Sequence, residues 1–193
     1  VQSKPRERLI ETSLRLFSTN GFHATGIDRI LAEAGVAKMT LYRHFRSKDE
    51  LILAALERYE TIFRGWLEDV LKHSPLPPED RILDLFDKLA QWFEGSTLGN
   101  LTFQGSMLTN AAAEFGQPGH PVHDAVAGHI RGLSSMLEST VREAGLPPGL
   151  SSRLVVLMFG AVLMVQIHRN PAAFRDARLT AQAILKQDAP IPA

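Results

Sequence analysis

The sequence predicts an all-α protein of about nine helices. Two observations predict it. Apolar residues recur every three to four positions along most of the 193 residues, and no segment alternates with the two-residue period of a strand. Breaks at Asn20-Gly21, Ala34-Gly35, Pro75 to Pro78, Gly116 to Gly119 and Leu146 to Gly149 cut that pattern into helix-sized pieces. The length suits a three-helix N-terminal domain, residues 1–46, followed by a larger helical domain, residues 47–193.

Ile10, Leu14 and Phe17 mark one face of the first helix, which Asn20-Gly21 ends because glycine tolerates the left-handed conformation of a helix stop. Thr25 is placed to cap the second helix, with Asp28 three residues on. Ala34-Gly35-Val36 has room only for a tight turn, so Lys38 to Phe45 reads as a third, short helix. Ser47 and Glu50 form a capping box that opens a long helix to about Lys72, with Ile52, Ala55, Leu56, Tyr59, Ile62, Phe63, Trp66, Leu67 and Val70 at apolar positions. After the prolines the pattern resumes at Ile82, Leu85, Phe86, Leu89, Trp92 and Phe93. Gly95 to Asn100 reads as a loop and Phe103 to Phe115 as a further helix. Pro121 suits a first helical position, and Val122, Val126, His129, Ile130, Leu133, Met136, Leu137 and Val141 follow on one stripe. Leu154 to Ile167 is apolar almost all round, which predicts burial on several sides. Asn170-Pro171 starts a last helix that ends near Lys186.

Composition narrows the function. The chain is 45% hydrophobic and 22% charged, which excludes wholesale disorder. Twenty-one basic residues balance 21 acidic ones, so any anion-binding surface must be local. The absence of cysteine excludes disulfides, thiolate metal sites and cysteine nucleophiles, and fits a cytoplasmic location. The most apolar run, Leu154 to Val165, is shorter than the roughly 20 residues of a membrane span, so no membrane association is expected. No G-x-S-x-G, phosphate loop, dinucleotide fingerprint or HExxH is present, so no enzyme and no cofactor is expected.

The charge is uneven in one informative place. Between Lys38 and Lys48 stand four cations and no acid. This stretch falls on the second helix of a helix-turn-helix layout spanning residues 27–45. Leu41 and Phe45 share the inward face, which leaves Lys38, Met39, Thr40, Tyr42, Arg43 and His44 on or near the outer one. Arg43 has the fork for guanine, Met39 suits a thymine methyl, and Thr40 suits a base or a phosphate. Tyr42, Lys48 and the Thr25 hydroxyl are phosphate partners, and the dipole of the short helix adds attraction. Lys4, Arg6 and Arg8 suggest a minor-groove arm, or else a solvated terminus.

Gly21-Phe22, Thr25, Ile27, Ile30, Ala32, Ala34-Gly35-Val36, Thr40-Leu41-Tyr42, His44-Phe45, Ser47-Lys48 and Leu51 stand in the order and spacing of one known signature. Over residues 8–56 the chain resembles the TetR family. The resemblance implies a homodimeric bacterial transcriptional regulator, usually a repressor, with double-stranded operator DNA bound by the N-terminal three helices. It also implies that the C-terminal helices hold a small-molecule effector and the dimer interface. Two positions depart from the pattern. Ala37 stands where relatives often carry a capping serine, and Met39 stands where a smaller residue is common.

On the helices that the resemblance places around the effector, the large apolar residues are Phe63, Trp66, Phe86, Leu89, Trp92, Phe93, Phe103, Met107, Leu108 and Met136. Gln104, Asn110 and His129 are the polar candidates among them. This composition suits an apolar or aromatic effector, and it equally suits a packed core. Residues 150–168 and 171–187 are the expected homodimer faces, with Gly160-Ala161 permitting close helix approach. Glu114, His120 and His123 lie close in sequence but lack a firm metal-ligand spacing, so no metal is assigned. The alternatives are a protein-interaction module that keeps the helix-turn-helix as scaffold, or a small all-α enzyme.

Overall fold

The computed structural model describes residues 4–95, 98 and 101–187. Among these the chain forms nine α-helices: α1 Pro5–Asn20, α2 Ile27–Ala34, α3 Lys38–His44, α4 Lys48–Glu68, α5 Pro78–Phe93, α6 Met107–Glu114, α7 Pro121–Glu143, α8 Leu150–His168 and α9 Ala172–Gln187. The only extended pairing among the described residues is an isolated bridge between Leu98 and Leu101. Of the loop expected at Gly95 to Asn100, residues 96, 97, 99 and 100 lie outside the described residues.

The chain folds as two compact units that are each discontinuous in sequence. One holds residues 1–62 and 106–129, the other 63–105 and 130–193. These units group residues by packing, whereas the division at 46/47 groups them by expected role.

In the first unit, α1 buries Leu9, Leu14, Leu16 and Phe17 and stops at Gly21, whose φ is +83°. Glu33 on α2 accepts from Arg15 (2.5 Å) and Arg29 (2.9 Å), and the Arg15 hydrogen bond, followed by that of Arg29, holds its carboxyl below the usual glutamate range. Helix α2 ends at Gly35 in the left-handed region, with its N–H on the Leu31 carbonyl. Seven-residue α3 is too short to persist alone; Leu41 and Phe45, both buried, hold it to the unit. Ser47 accepts from the Glu50 N–H (3.2 Å), and Glu50 reaches back to the Arg46 N–H (2.7 Å), one residue earlier than the standard box.

Three expectations need correction here. Thr25 does not cap α2. The helix begins at Ile27 behind Gly26, and the fully buried Thr25 hydroxyl instead donates to the Gly21 carbonyl at 2.7 Å, closing the α1–α2 turn. Arg6 and Arg8 form no free arm, because both lie on α1, where Arg6 stands over the Phe45 ring (5.4 Å) and Arg8 donates to the Gly35 carbonyl (3.4 Å). Helix α6 begins at Met107, not Phe103. Gly105 has a φ of +97° that a helix cannot hold, and the Ser106 hydroxyl then caps the helix by accepting from Thr109 N–H.

In the second unit α4 runs on as a π-turn, Asp69–His73, rather than as regular helix. Arg81, 6% exposed on α5, donates to the Leu71 carbonyl of that turn (2.7 Å) and to Glu143 on α7 (2.5 Å). Helices α5 and α8 both pack on α9. Asp87 and Arg178 join α5 to α9 at 2.8 Å, and Phe174 on α9 is fully buried. The Asn170 side chain accepts from the Ala172 N–H (2.9 Å) and so opens α9 as expected. Helix α7 contributes residues to both units, and its expected stripe is buried at Val122, Val126, Leu133, Leu137 and Val141, but His129, Ile130 and Met136 are only half-buried.

Helix α8 corrects a length argument. The helix is 19 residues long and holds an 18-residue window of mean hydropathy 1.9, so by length and composition alone it matches a membrane span. Less than half of it is buried. Leu154, Met158 and Val165 pack inward, while Val156 (73% exposed), Leu163, Met164 and Ile167 (61%) face outward.

Candidate DNA-binding face and effector region

The exposed side of α3 is built by what its inward side spends. Leu41 is fully buried, and the residues around it are pushed outward: Lys38, Tyr42, Arg43 and His44 are exposed, and Met39 is 77% exposed. Thr40 is half-buried beside them. Tyr42 is 49% exposed. Met39 thus stands in water beside the cations Lys38 and Arg43. Ala37 occupies the cap position with no side-chain hydrogen bond, as its identity requires, and the Thr40 N–H bonds the Ala37 carbonyl instead (2.9 Å). Lys38 stands 3.9 Å from Asp28, and both are exposed.

Lys48 lies at the start of α4, half-buried, with Nζ 3.5 Å from the His23 carbonyl. Burial lowers its pKa, and Glu114 and Asp49 partly restore it. Thr25 is not brought to this face, since its hydroxyl is spent inside. Arg46, which the sequence reading left out of the candidates, is exposed in the same cationic run. Its position between Lys38 and Lys48 was the available signal.

The expected effector residues fall in both compact units. Phe63, Trp66, Phe86, Leu89, Trp92, Phe93 and Phe103 belong to the second, while Met107, Asn110 and His129 belong to the first. In the second unit, Phe103 meets Trp92 (5.1 Å), Phe93 (5.4 Å) and Phe174 (6.2 Å) edge to face. Trp92 donates its indole N–H to the Leu101 carbonyl, so it offers no free donor. Phe86, Leu89, Trp92 and Phe103 are buried; Phe63, Trp66 and Phe93 keep partial exposure. In the first unit the Nδ1 of His129 is buried with no hydrogen-bond partner among the described residues. Burial lowers the pKa of this ring against the pull of Glu60 and Glu57. An open cleft of about 490 Å³ between α1 and α4, walled by Arg6, Glu7, Ile10, Glu11, Ala54, Glu57, Arg58 and Thr61, contains none of the expected residues.

The carboxylate of Glu114 is taken by the α1–α2 turn, and among the described residues no group of His, Asp and Glu is arranged to hold a metal ion. 

Comparison with known proteins follows the same division of the chain. Residues 9–55 match the family model described as bacterial regulatory proteins, tetR family. The crystal structure of a TetR-family transcriptional regulator from Streptomyces coelicolor superposes with a TM-score of 0.86 at 30% identity, covering 97% of this chain and 91% of that one. The HTH-type transcriptional repressor NemR of Escherichia coli is 26% identical over 174 residues, 86% of this chain and 85% of that protein. A shorter match, 47% identical over 57 residues, is to the HTH-type transcriptional regulator YerO of Bacillus subtilis, of which it covers 20%. With the helix-turn-helix layout of α2 and α3, the matched N-terminal segment and the whole-chain superposition agreeing, the chain belongs to the TetR family of helix-turn-helix transcriptional regulators.

Proposed function

We propose that this chain is a homodimeric, effector-released repressor that reads a palindromic operator with α3. The observation that carries the reading is the outer side of α3, where Met39, Tyr42, Arg43 and His44 all stand exposed over a buried Leu41. Arg43 reads guanine, Met39 meets a thymine methyl, and Thr40 and His44 border the bases. Lys38, Tyr42 and Lys48 fix the register on phosphates. Thr25 takes an indirect part, by holding the turn that precedes α2.

Dimerisation uses the outward apolar side of α8, where Val156, Gly160, Leu163 and Ile167 recur at helical spacing, together with exposed Leu179 on α9. An exposed apolar face of this kind marks an interaction surface, which supports reading α8 as the subunit contact. The protein then works in the cytoplasm. The effector is an apolar or aromatic molecule that enters the aromatic group of Trp92, Phe93 and Phe103. It releases DNA by binding better to a form whose recognition helices are wrongly spaced.

Selection of bound sequences from random DNA at a stated salt concentration tests the reading. A recovered palindrome with half-sites about one helical turn apart is expected, and Arg43→Ala should abolish the preference while leaving the dimer intact. Recovery of no preferred sequence by the wild-type chain would favour the helix-turn-helix as scaffold.

A further inference from the structure

The last residue of α6 is a glutamate, at the end of a helix that disfavours negative charge. Glu114 is nevertheless met by three donors. The Phe22 N–H lies 2.9 Å from Oε1, and the His23 N–H (2.6 Å) and His23 Nδ1 (2.7 Å) both reach Oε2. Burial by itself would raise this carboxyl; the two backbone N–H groups and the His23 ring outweigh it and hold the pKa below the usual glutamate range.

The turn is shaped to receive the carboxylate. A Cβ on Gly21 would stand 2.9 Å from Oε1, so a larger residue there would shift the carboxylate, and the positive φ of +83° also favours glycine. Thr25 closes the turn on the Gly21 carbonyl and Lys48 meets the His23 carbonyl. Phe115, the next residue after Glu114, stacks on His23 (4.9 Å) and on His120 (5.0 Å) and meets Phe22 edge-on (5.7 Å). The turn leads directly into α2, and α2 leads through Gly35 into α3.

From this geometry we infer that Glu114 is a positioning residue for operator recognition: its carboxylate locks the α1–α2 turn to α6 and so fixes the orientation of the helix-turn-helix. The inference rests on the DNA-binding reading above. Two recognition helices must be correctly placed at once, so losses multiply. A turn that is competent about a third of the time in each subunit lowers operator affinity roughly tenfold, because the apparent constant scales with the competent fraction.

The test compares the full-length wild-type chain with Glu114→Ala and Glu114→Gln on the operator recovered by selection. Affinity at fixed salt, dimer state, melting temperature and amide exchange at Phe22 and His23 are all recorded. Glu114→Ala should bind about tenfold more weakly or worse, with an unchanged dimer and faster exchange of those two amides. Glu114→Gln should fall between, since its amide oxygen accepts from Phe22 but its NH2 group cannot accept from His23; this variant decides the matter if the alanine variant loses helicity. The salt dependence should not change, because no phosphate contact is removed. Arg81→Met, which loosens the other unit, separates positioning from general destabilisation: its operator affinity should stay near the wild-type value. Faster amide exchange with operator affinity within twofold of wild type overturns the inference alone. A wild-type chain that binds no selected DNA overturns the proposed function and this inference with it.

Discussion

Replacing Arg81 by methionine tests how the π-turn after α4 is held. The guanidinium is almost fully buried and donates to the Leu71 carbonyl at 2.7 Å. A hydrogen bond from a charged donor contributes about 1.5–3 kcal/mol, and the carbonyl left without it costs about 1–3 kcal/mol of unmet desolvation. These describe one loss from two sides and are not added. The second contact, to Glu143, counts for less. The side chain of Glu143 is 56% exposed, so water replaces the lost partner and the pair is worth at most about 1 kcal/mol after screening. Removing a buried guanidinium also returns its desolvation cost, which trims the total. The expected loss is about 2–3 kcal/mol. Urea unfolding at fixed protein concentration reads it: with a slope near 2 kcal/mol/M, the midpoint should fall by about 1–1.5 M at unchanged slope. Glu143→Gln should cost less than about 1 kcal/mol. A stable or stabilised Arg81→Met would refute the argument, for it would mean that burial of the charge outweighs the bond to the turn.

Three further outcomes follow from the structure. Ala37→Ser supplies the missing cap of α3 and should raise stability by about 0.5–2 kcal/mol, or a few degrees in melting temperature; no rise would mean that the α3 amino end is already satisfied. Ile167→Glu and Val156→Glu place charge in the proposed subunit contact. Each acts twice in a symmetric dimer, so sedimentation should show association weakened at least a hundredfold, about 3 kcal/mol, and an unchanged dimer would move the interface elsewhere. Stability should fall in two acid steps. His129 has a folded pKa below its usual value of about 6.5, so below that pH the unfolded chain binds a proton that the folded chain refuses, and stability drops as pH falls. Glu114 also has a lowered folded pKa; its contribution is complete above the usual value of about 4.3 and is lost as pH falls through the folded one. His129→Leu should flatten the first step and Glu114→Gln the second in unfolding curves taken across pH.

The helix-turn-helix was legible because its signals are local. Gly21 and Gly35 stop helices within a few residues of the apolar positions they serve, and Leu41 and Phe45 orient α3 by simple spacing. Thr25 misled because a hydroxyl beside a helix start can face either way, and here it turned back to α1. The start of α6 was misplaced because Phe103 continues the apolar period while Gly105 breaks the backbone. The Glu114 contact left no trace at all: its partners are more than 90 residues away and none of them changes the periodicity of its own segment. The effector residues were chosen as large apolar side chains on successive helices, a criterion that cannot separate Phe86, deep in the core of one unit, from Met107 in the other.

The interleaving of the two units bears on how this chain emerges from the ribosome. Residues 1–62 are made before the segment that completes their packing, residues 106–129, which follows only after 43 residues of the other unit, 63–105. During that interval Phe22 lacks Phe115, and the α1–α2 turn lacks the carboxylate it is shaped around. A nascent or proteolytically excised 1–62 fragment would therefore carry every residue of the recognition helix and still miss the groups that set the turn before it. Swapping this reading head onto another regulator would call for residues 106–129 to travel with it.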